Sequence, residues 1–301
     1  MKKLNFIFVF ATVLFAAQTN RFIYEYKYVP NTNEKDTVRK EMMLLEINEK
    51  GSRYFSHSKF ISDSITKADL EKQLASGSNN ININKRERLG SVNYSVEKTY
   101  PDFNVFLMDR IGTDNYKISE EEKLVWKVQS EVQKIGEYSA QKATTSFGGR
   151  DWTAWFSTEI PFQDGPYKFY GLPGLIVKIE DTTSSHIMTL VANKKVNTTS
   201  KNSDADISGG RIQIFGMGGK EIPITEKQFK KLRQDFLNDP SKNMREMMMR
   251  VNPNNEKVIM KMKTPDGREI SDMNEMYKQM EKRTKEAESK NNNRIEPDLY
   301  K

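Results

Sequence analysis

The chain has 301 residues, 48 Lys/Arg against 41 Asp/Glu, a formal net charge of +7 and no cysteine. Without cysteine there is no disulfide framework, lipid-modified cysteine, thiol nucleophile or thiolate metal site, so stability has to come from burial, for which a chain of this length suffices. Basic and acidic residues are interleaved almost everywhere, which describes a solvated surface rather than a polyanion-binding stripe, so nucleic acid is not an expected partner.

The first residues, MKKLNFIFVFATVLFAAQTN, place Lys2 and Lys3 before an apolar run from Leu4 to Ala17. That run is short for a membrane span, so residues 1–18 are read as a cleaved secretory signal, cut near Ala16 to Gln18. No transmembrane segment is expected after cleavage, and the expected location is periplasmic or secreted. From Arg21 the pattern has period two: Phe22, Tyr24, Tyr26 and Tyr28 alternate with polar residues, as in a half-buried strand. KEMMLLEINEKGSRYFSH reads as two strands joined at Asn48–Gly51. ITKADLEKQLAS reads as a short helix, with Thr66 as its N-cap and Asp69 at the capping-box position. The polar stretch that follows reads as an exposed loop. Further strands are expected in SVNYSVEKTY, NVFLMDRIG, KLVWKV, GEYSAQKATTSF, GRDWTAWFS, LIVKIED and HIMTLVANKKV. Short strands with tight turns in this order predict an extended antiparallel sheet over residues 19–200.

Residues 201–301 are expected to form a C-terminal extension of helices and a hairpin. A glycine-rich stretch leads to Thr225, which caps EKQFKKLRQDFLND with Phe229, Leu232 and Phe236 on one face. NMREMMMRV reads as a second helix, and EKVIMKMKTPDGREI as a hairpin turning at Pro-Asp-Gly. A charged helix over about 272–290 is expected to fray into NNNRIEPDLYK.

The run EIPFQDGPYKFYGLPGLIVKIED, from Glu159, breaks the chain at Pro161, Gly165-Pro166 and Leu172-Pro173-Gly174. Pro166 and Pro173 fix φ, Gly171 and Gly174 can adopt angles other residues avoid, and Phe162, Tyr167, Phe169 and Tyr170 lie between the bends. A phosphate cradle needs its glycines before a helix N-terminus, and here a strand follows, so the reading is a folded loop that aims a strand. Tyr-Gly-Leu-Pro-Gly-Leu-Ile at 170–176 resembles the signature of the GLPGLI family of exported Bacteroidetes proteins. Gly149-Arg150, Ala154-Trp155-Phe156, Ile160-Pro161 and Gly165-Pro166 extend that resemblance upstream. It implies a signal peptide and a mainly β exported protein, and it brings no catalytic residue with it.

The residues were also tested for chemistry. His57 and His186 are the two histidines, and HExxH, HxH and G-x-S-x-G patterns are absent. Asp151, Glu159, Asp164 and Asp181 cluster near the motif and are the candidates for a hydrolase dyad. On an alternating strand Trp152 and Phe156 face one way and Trp155 the other, so one set should line the core and the other could line a binding surface. Nine of the fifteen methionines follow residue 240. They offer soft Cu(I) ligands, although Met244, Met247, Met248 and Val251 also follow the spacing of a packed helix face. The resulting expectation is a mainly β (α+β) protein with a curved antiparallel sheet, short helices and a helical C-terminal extension. Its expected function is non-enzymatic binding of an apolar small molecule or an envelope protein, with no cofactor or metal. The expected contacts are Trp155, Phe169, Tyr170, Gly171, Leu172, Pro173 and Gly174. A carboxylate hydrolase and a Met-rich copper site are the alternatives.

Overall fold

The computed structural model describes residues 18–75, 90–112, 114–197, 221–251, 262–263 and 267–300. The apolar N-terminal run, the 76–87 stretch read as a loop and the glycine-rich segment before 221 lie outside the described residues.

Among the described residues, twelve strands form one large open sheet. In chain order they are β1 (Gln18–Tyr28), β2 (Arg39–Asn48), β3 (Gly51–Ser56), β4 (Ser95–Thr99), β5 (Asn104–Ile111), β6 (Asp114–Ser119), β7 (Lys127–Ile135), β8 (Tyr138–Phe147), β9 (Arg150–Ser157), β10 (Leu175–Asp181), β11 (His186–Asn197) and β12 (Ile222–Thr225). Their spatial order is β12-β6-β5-β4-β3-β2-β1-β11-β10-β9-β8-β7. Two antiparallel meanders, β1–β6 and β7–β11, thus join where β1 pairs with β11, and β12 adds to β6 in parallel. At the join Tyr24 sits opposite Met43 on β2 and Leu190 on β11. The period-two reading of β1 holds, with Phe22, Tyr24 and Tyr26 buried between half-buried neighbours.

The helices are α1 (His57–Ala75), α2 (Glu226–Asn238), α3 (Lys242–Val251), α4 (Met273–Lys290) and α5 (Pro297–Tyr300). No helix among the described residues is long and apolar enough to cross a membrane. Thr225 caps α2 as expected, and Gln228 reaches back to complete the capping box. Asp272 caps α4, and β13 (Met262–Lys263) pairs antiparallel with β14 (Glu269–Ile270) where a hairpin was expected, while residues 264–266 of its turn lie outside the described residues.

Three expectations need correction. Helix α1 begins at His57 and runs through Thr66, because the Ser56 hydroxyl at the end of β3 already accepts the Lys59 N–H at 3.0 Å and caps it there. The strand expected in KLVWKV starts only at Lys127 and continues to Ile135; as an edge strand exposed along nearly its whole length, it carries no burial alternation to read. The segment after α4 does not fray: Ile295, Glu296 and Leu299 are buried, and Ile295 and Leu299 belong to the same hydrophobic cluster as the sheet.

Candidate functional site

Loop 159–174 leaves β9 and folds back before entering β10, and it closes on itself through its own backbone. Gly171 donates to the Gln163 carbonyl at 2.9 Å, Leu175 to Ile160 at 3.0 Å and Ile176 to Asp164 at 3.0 Å. Gly174 is required by close approach: a Cβ there would fall 2.2 Å from the Ser157 carbonyl oxygen. Gly171, at φ +91°, has open space where a Cβ would go. Gly174→Ala is therefore expected to cost about 3 kcal/mol or more, by forcing β9 and β10 apart, and Gly171→Ala only about 1 kcal/mol of backbone strain. Urea unfolding of the two variants side by side measures the difference.

Residues 164–169 and Leu172 of the loop are buried in the protein. Phe169 is fully buried, with Trp152 at 4.8 Å and Phe147 at 5.7 Å edge-on, and Trp126 and Tyr167 at 6.2 Å. Leu172 is buried in the same cluster. Trp126 donates its indole N–H to the Tyr170 carbonyl at 2.8 Å, and the Tyr24 hydroxyl donates to Ile176 O at 2.7 Å. Residues from β1, β4, β8, β9 and the stretches after β6 thus converge on one loop.

Two buried cations hold it. Lys98, on β4, and Asp164 form an ion pair with both side chains at 0% exposure. The Lys98 ammonium also donates to Gly165 O at 2.7 Å and Phe169 O at 3.1 Å, while Asp164 accepts from Tyr100 Oη and from the Gly165 N–H at 2.6 Å. Burial pushes Lys98 below its ordinary value, and Asp164 opposes that push. Two turns on, Lys168 lies 2.6 Å from Glu120, 2.8 Å from Glu296 and 3.9 Å from Glu226, with Tyr167 Oη bonded to Glu296. Burial drags the Lys168 ammonium down, but Glu296 and Glu120 outweigh it and hold it above the ordinary lysine value. Carboxylate oxygens of Glu120, Glu226 and Glu296 come within 4.8 Å of one another, a spacing a metal ion could use. Lys168 already supplies the cation there.

One lysine among three carboxylates leaves excess negative charge, and Glu226 absorbs it. Burial first, and Glu120 second, push Glu226 from 4.5 up to about 7, although its place at the start of α2 favours the ionised form. The folded state keeps a proton there that the unfolded chain releases, so stability from this group is complete below about pH 4.5 and is lost as pH rises through about 7. Glu226→Gln is expected to flatten that decline and, after discounting for its partial exposure, to gain on the order of 1 kcal/mol at pH 8. Thermal melts across pH 5–8 check it.

A third cluster joins β9, β10 and β11 to the end of the chain. Arg150 pairs with Asp181 at 3.0 Å and donates to Asn293 Oδ1 at 2.5 Å and Arg294 O at 2.7 Å. Asp181 accepts from the His186 N–H at 2.8 Å, and His186 Nδ1 bonds to Tyr26 Oη at 2.7 Å. Burial and the neighbouring Arg150 push His186 down to about 3, so the ring is neutral at ordinary pH. The other carboxylates near the motif are also engaged: Asp151 accepts from Ser146 Oγ at 2.5 Å and Glu159 from the Ser139 N–H at 2.9 Å.

Of the seven contacts expected from sequence, Phe169, Leu172, Gly174 and Trp155 are buried, and Tyr170 is half-buried. Gly171 and Pro173 are exposed. Trp155 is covered by Lys142, whose ammonium lies 5.7 Å from the ring centroid. Tyr170 stacks on Phe103 at 4.8 Å. Sequence reasoning passed over Lys98, Lys168, Glu120, Glu226 and Glu296. Lys98 and Lys168 carried a faint signal, as charges inside strand-like or aromatic surroundings, but their partners are distant in sequence. Met276 is buried on α4, while the side chains of Met247, Met248 and Met249 lie outside the described residues.

Residues 148–178 match the model of a family described as a protein of unknown function (Porph_ging). No curated protein matches this chain. Among solved structures, PNGF-II in space groups P21 and C2 aligns at TM-score 0.45, with 14% and 15% identity over 71% of this chain. This chain spans 33% and 32% of those two chains, about a third of their length.

Proposed function

We propose that this is an exported, non-enzymatic protein that binds an envelope protein, with its sheet curved around loop 159–174 and the helical C-terminal part closing the structure. The observation that carries this reading is the division between a filled interior and a bare edge. The loop's aromatic and aliphatic side chains occupy the space an apolar ligand would need, with Phe169 and Tyr167 at 0% exposure. By contrast, among the described residues β7 ends the sheet and pairs with β8 alone, and Val125, Val128 and Val132 at or near it are 72%, 51% and 58% exposed. An unpaired strand edge with exposed valines suits addition of a partner strand, main-chain hydrogen bonds giving affinity and side chains giving selectivity. Lys127 and Lys134 flank Val128 and Val132, and a register shift interrupts the β7–β8 ladder between those two valines, features that discourage indiscriminate pairing.

Nothing comparable favours a hydrolase, since Asp151, Glu159, Asp164 and Asp181 each have their own donors. The reading is tested by placing a photo-crosslinking amino acid at Val128, Val132 and, as a control, exposed Lys231, in cells that make the protein. Adducts to one defined protein at 128 and 132, absent at 231, are expected. The absence of adducts on β7, or a stoichiometric apolar adduct in native mass spectrometry of the purified protein, would overturn it.

A further inference from the structure

Segment 291–300 behaves as a strap laid across a groove made by other parts of the chain. Asn292 Oδ1 accepts from the Thr32 N–H at 2.8 Å, and its amide donates to Asn31 Oδ1 at 3.0 Å. Asn293 donates its backbone N–H to Pro30 O at 3.0 Å and its side-chain amide to Val29 O at 2.8 Å. Arg150 grips Asn293 Oδ1 and the Arg294 carbonyl. Glu296, 3% exposed, enters between Tyr167 and Lys168, and Ile295 and Leu299 fill the core on either side. Tyr300 Oη bonds to Asp109, and its carbonyl accepts from Arg233 at 3.2 Å. Cationic groups of the groove thus meet carbonyl and carboxylate oxygens of the strap, with apolar residues seated between them.

What leads into the strap is different in kind. Helix α4 is highly charged, and Met276 is the one residue it buries. A firmly seated strap on an arm held by one buried side chain and a few polar links, Glu288 to Arg233 and Glu281 to Ser241, is the arrangement that allows an element to be exchanged between identical copies, because every groove contact is the same whichever copy supplies the strap. We propose that segment 291–300 is a transferable strap, and that the groove formed by Arg150, Tyr167, Lys168 and the Val29–Thr32 turn accepts it from a second copy of this chain. The partner is specified by the groove's chemistry: an Ile-Glu-Pro stretch followed by Leu-Tyr, which a second copy carries. This goes beyond the binding reading at β7 and does not depend on it.

The absence of cysteine makes a clean test available. Thr32 Oγ1 and Asn292 Oδ1 are 3.1 Å apart and exposed, so Thr32→Cys and Asn292→Cys can report docking while leaving the buried Ile295, Glu296 and Leu299 of the strap in place. Full-length chains carrying one cysteine each, one of them isotope-labelled, are mixed in urea, refolded together and oxidised, and the linked peptides are identified by mass. Linkage of residue 32 in one copy to residue 292 in the other is expected, rising roughly tenfold for a tenfold rise in chain concentration while it is still the minor species. The same linkage is expected to fall sharply when Glu296→Ala is added to both chains. If only 32–32 and 292–292 links form at every concentration, while a chain carrying both cysteines closes on itself, the transfer is refuted. If that doubly substituted chain does not close either, the strap's docking is refuted along with it.

Discussion

Lys98→Met is expected to lower the unfolding free energy by about 3 to 5 kcal/mol, the cost of breaking a fully buried ion pair from one side. Methionine keeps most of the volume, so packing loss is small and the effect is electrostatic. What remains is Asp164 with its Tyr100 and Gly165 donors but no cation, and the carbonyls of Gly165 and Phe169 lose the ammonium that bound them. Both carbonyls belong to loop 159–174, so the damage falls on the loop that fills the sheet. Combining Lys98→Met with Asp164→Asn is expected to cost less than the sum of the two, by roughly 2 kcal/mol, because the amide oxygen still accepts from the Gly165 N–H, the amide NH2 donates to the Tyr100 oxygen and the stranded charge is gone. Additive losses in a double-mutant cycle would mean that the two groups do not act as a pair.

Lys168→Met is expected to be as costly near pH 8, about 3 to 5 kcal/mol, and markedly milder near pH 5. Glu120, Glu226 and Glu296 then face one another without a cation. Each carboxylate answers by taking up a proton, so the folded state binds more protons than the unfolded one above the ordinary carboxylate range, and stability falls as pH rises. In the wild type Lys168 limits that penalty, and burial of Glu296 still pushes its carboxyl upward. A fall in Tm of roughly 10 °C or more at pH 8, shrinking severalfold at pH 5, is the expected record. A pH-independent loss would point to packing alone.

Much of the sheet was legible because it follows local rules. The alternation in β1, the Thr225 cap with its Gln228 partner and the pairing of Met262–Lys263 with Glu269–Ile270 each depend on residues a few positions apart. The motif could be read as a bend that aims β10, and the steric demand at Gly174 agrees with that reading. What stayed hidden depends on distance. Lys98 meets Asp164 across 66 residues and Lys168 meets Glu296 across 128, and no spacing in the sequence announces either pair. The same holds for the strap, whose Asn-rich and charged composition suggests solvent although Ile295, Glu296 and Leu299 are buried. Phe169 and Leu172 look like ligand contacts because aromatic and aliphatic residues on a loop serve equally well in a core. Only their neighbours tell the two apart. Most of β7 escaped recognition in the opposite way, its strand being placed at 123–128 instead of Lys127–Ile135, since a strand exposed on both faces leaves no periodic trace.

The central claim is that loop 159–174 is the filling of the sheet, locked by buried ion pairs, and not a mobile ligand-gathering loop. Native-state hydrogen exchange of the amides of Gly171, Leu175 and Ile176, measured against Tyr24 and Tyr26 of β1, tests it most directly. Leu175 and Ile176 are predicted to exchange only with global unfolding, at the same rate as the β1 amides, with Gly171 close behind. Exchange of all three by local opening, orders of magnitude faster than β1, would contradict the account and return the loop to the role of a binding element.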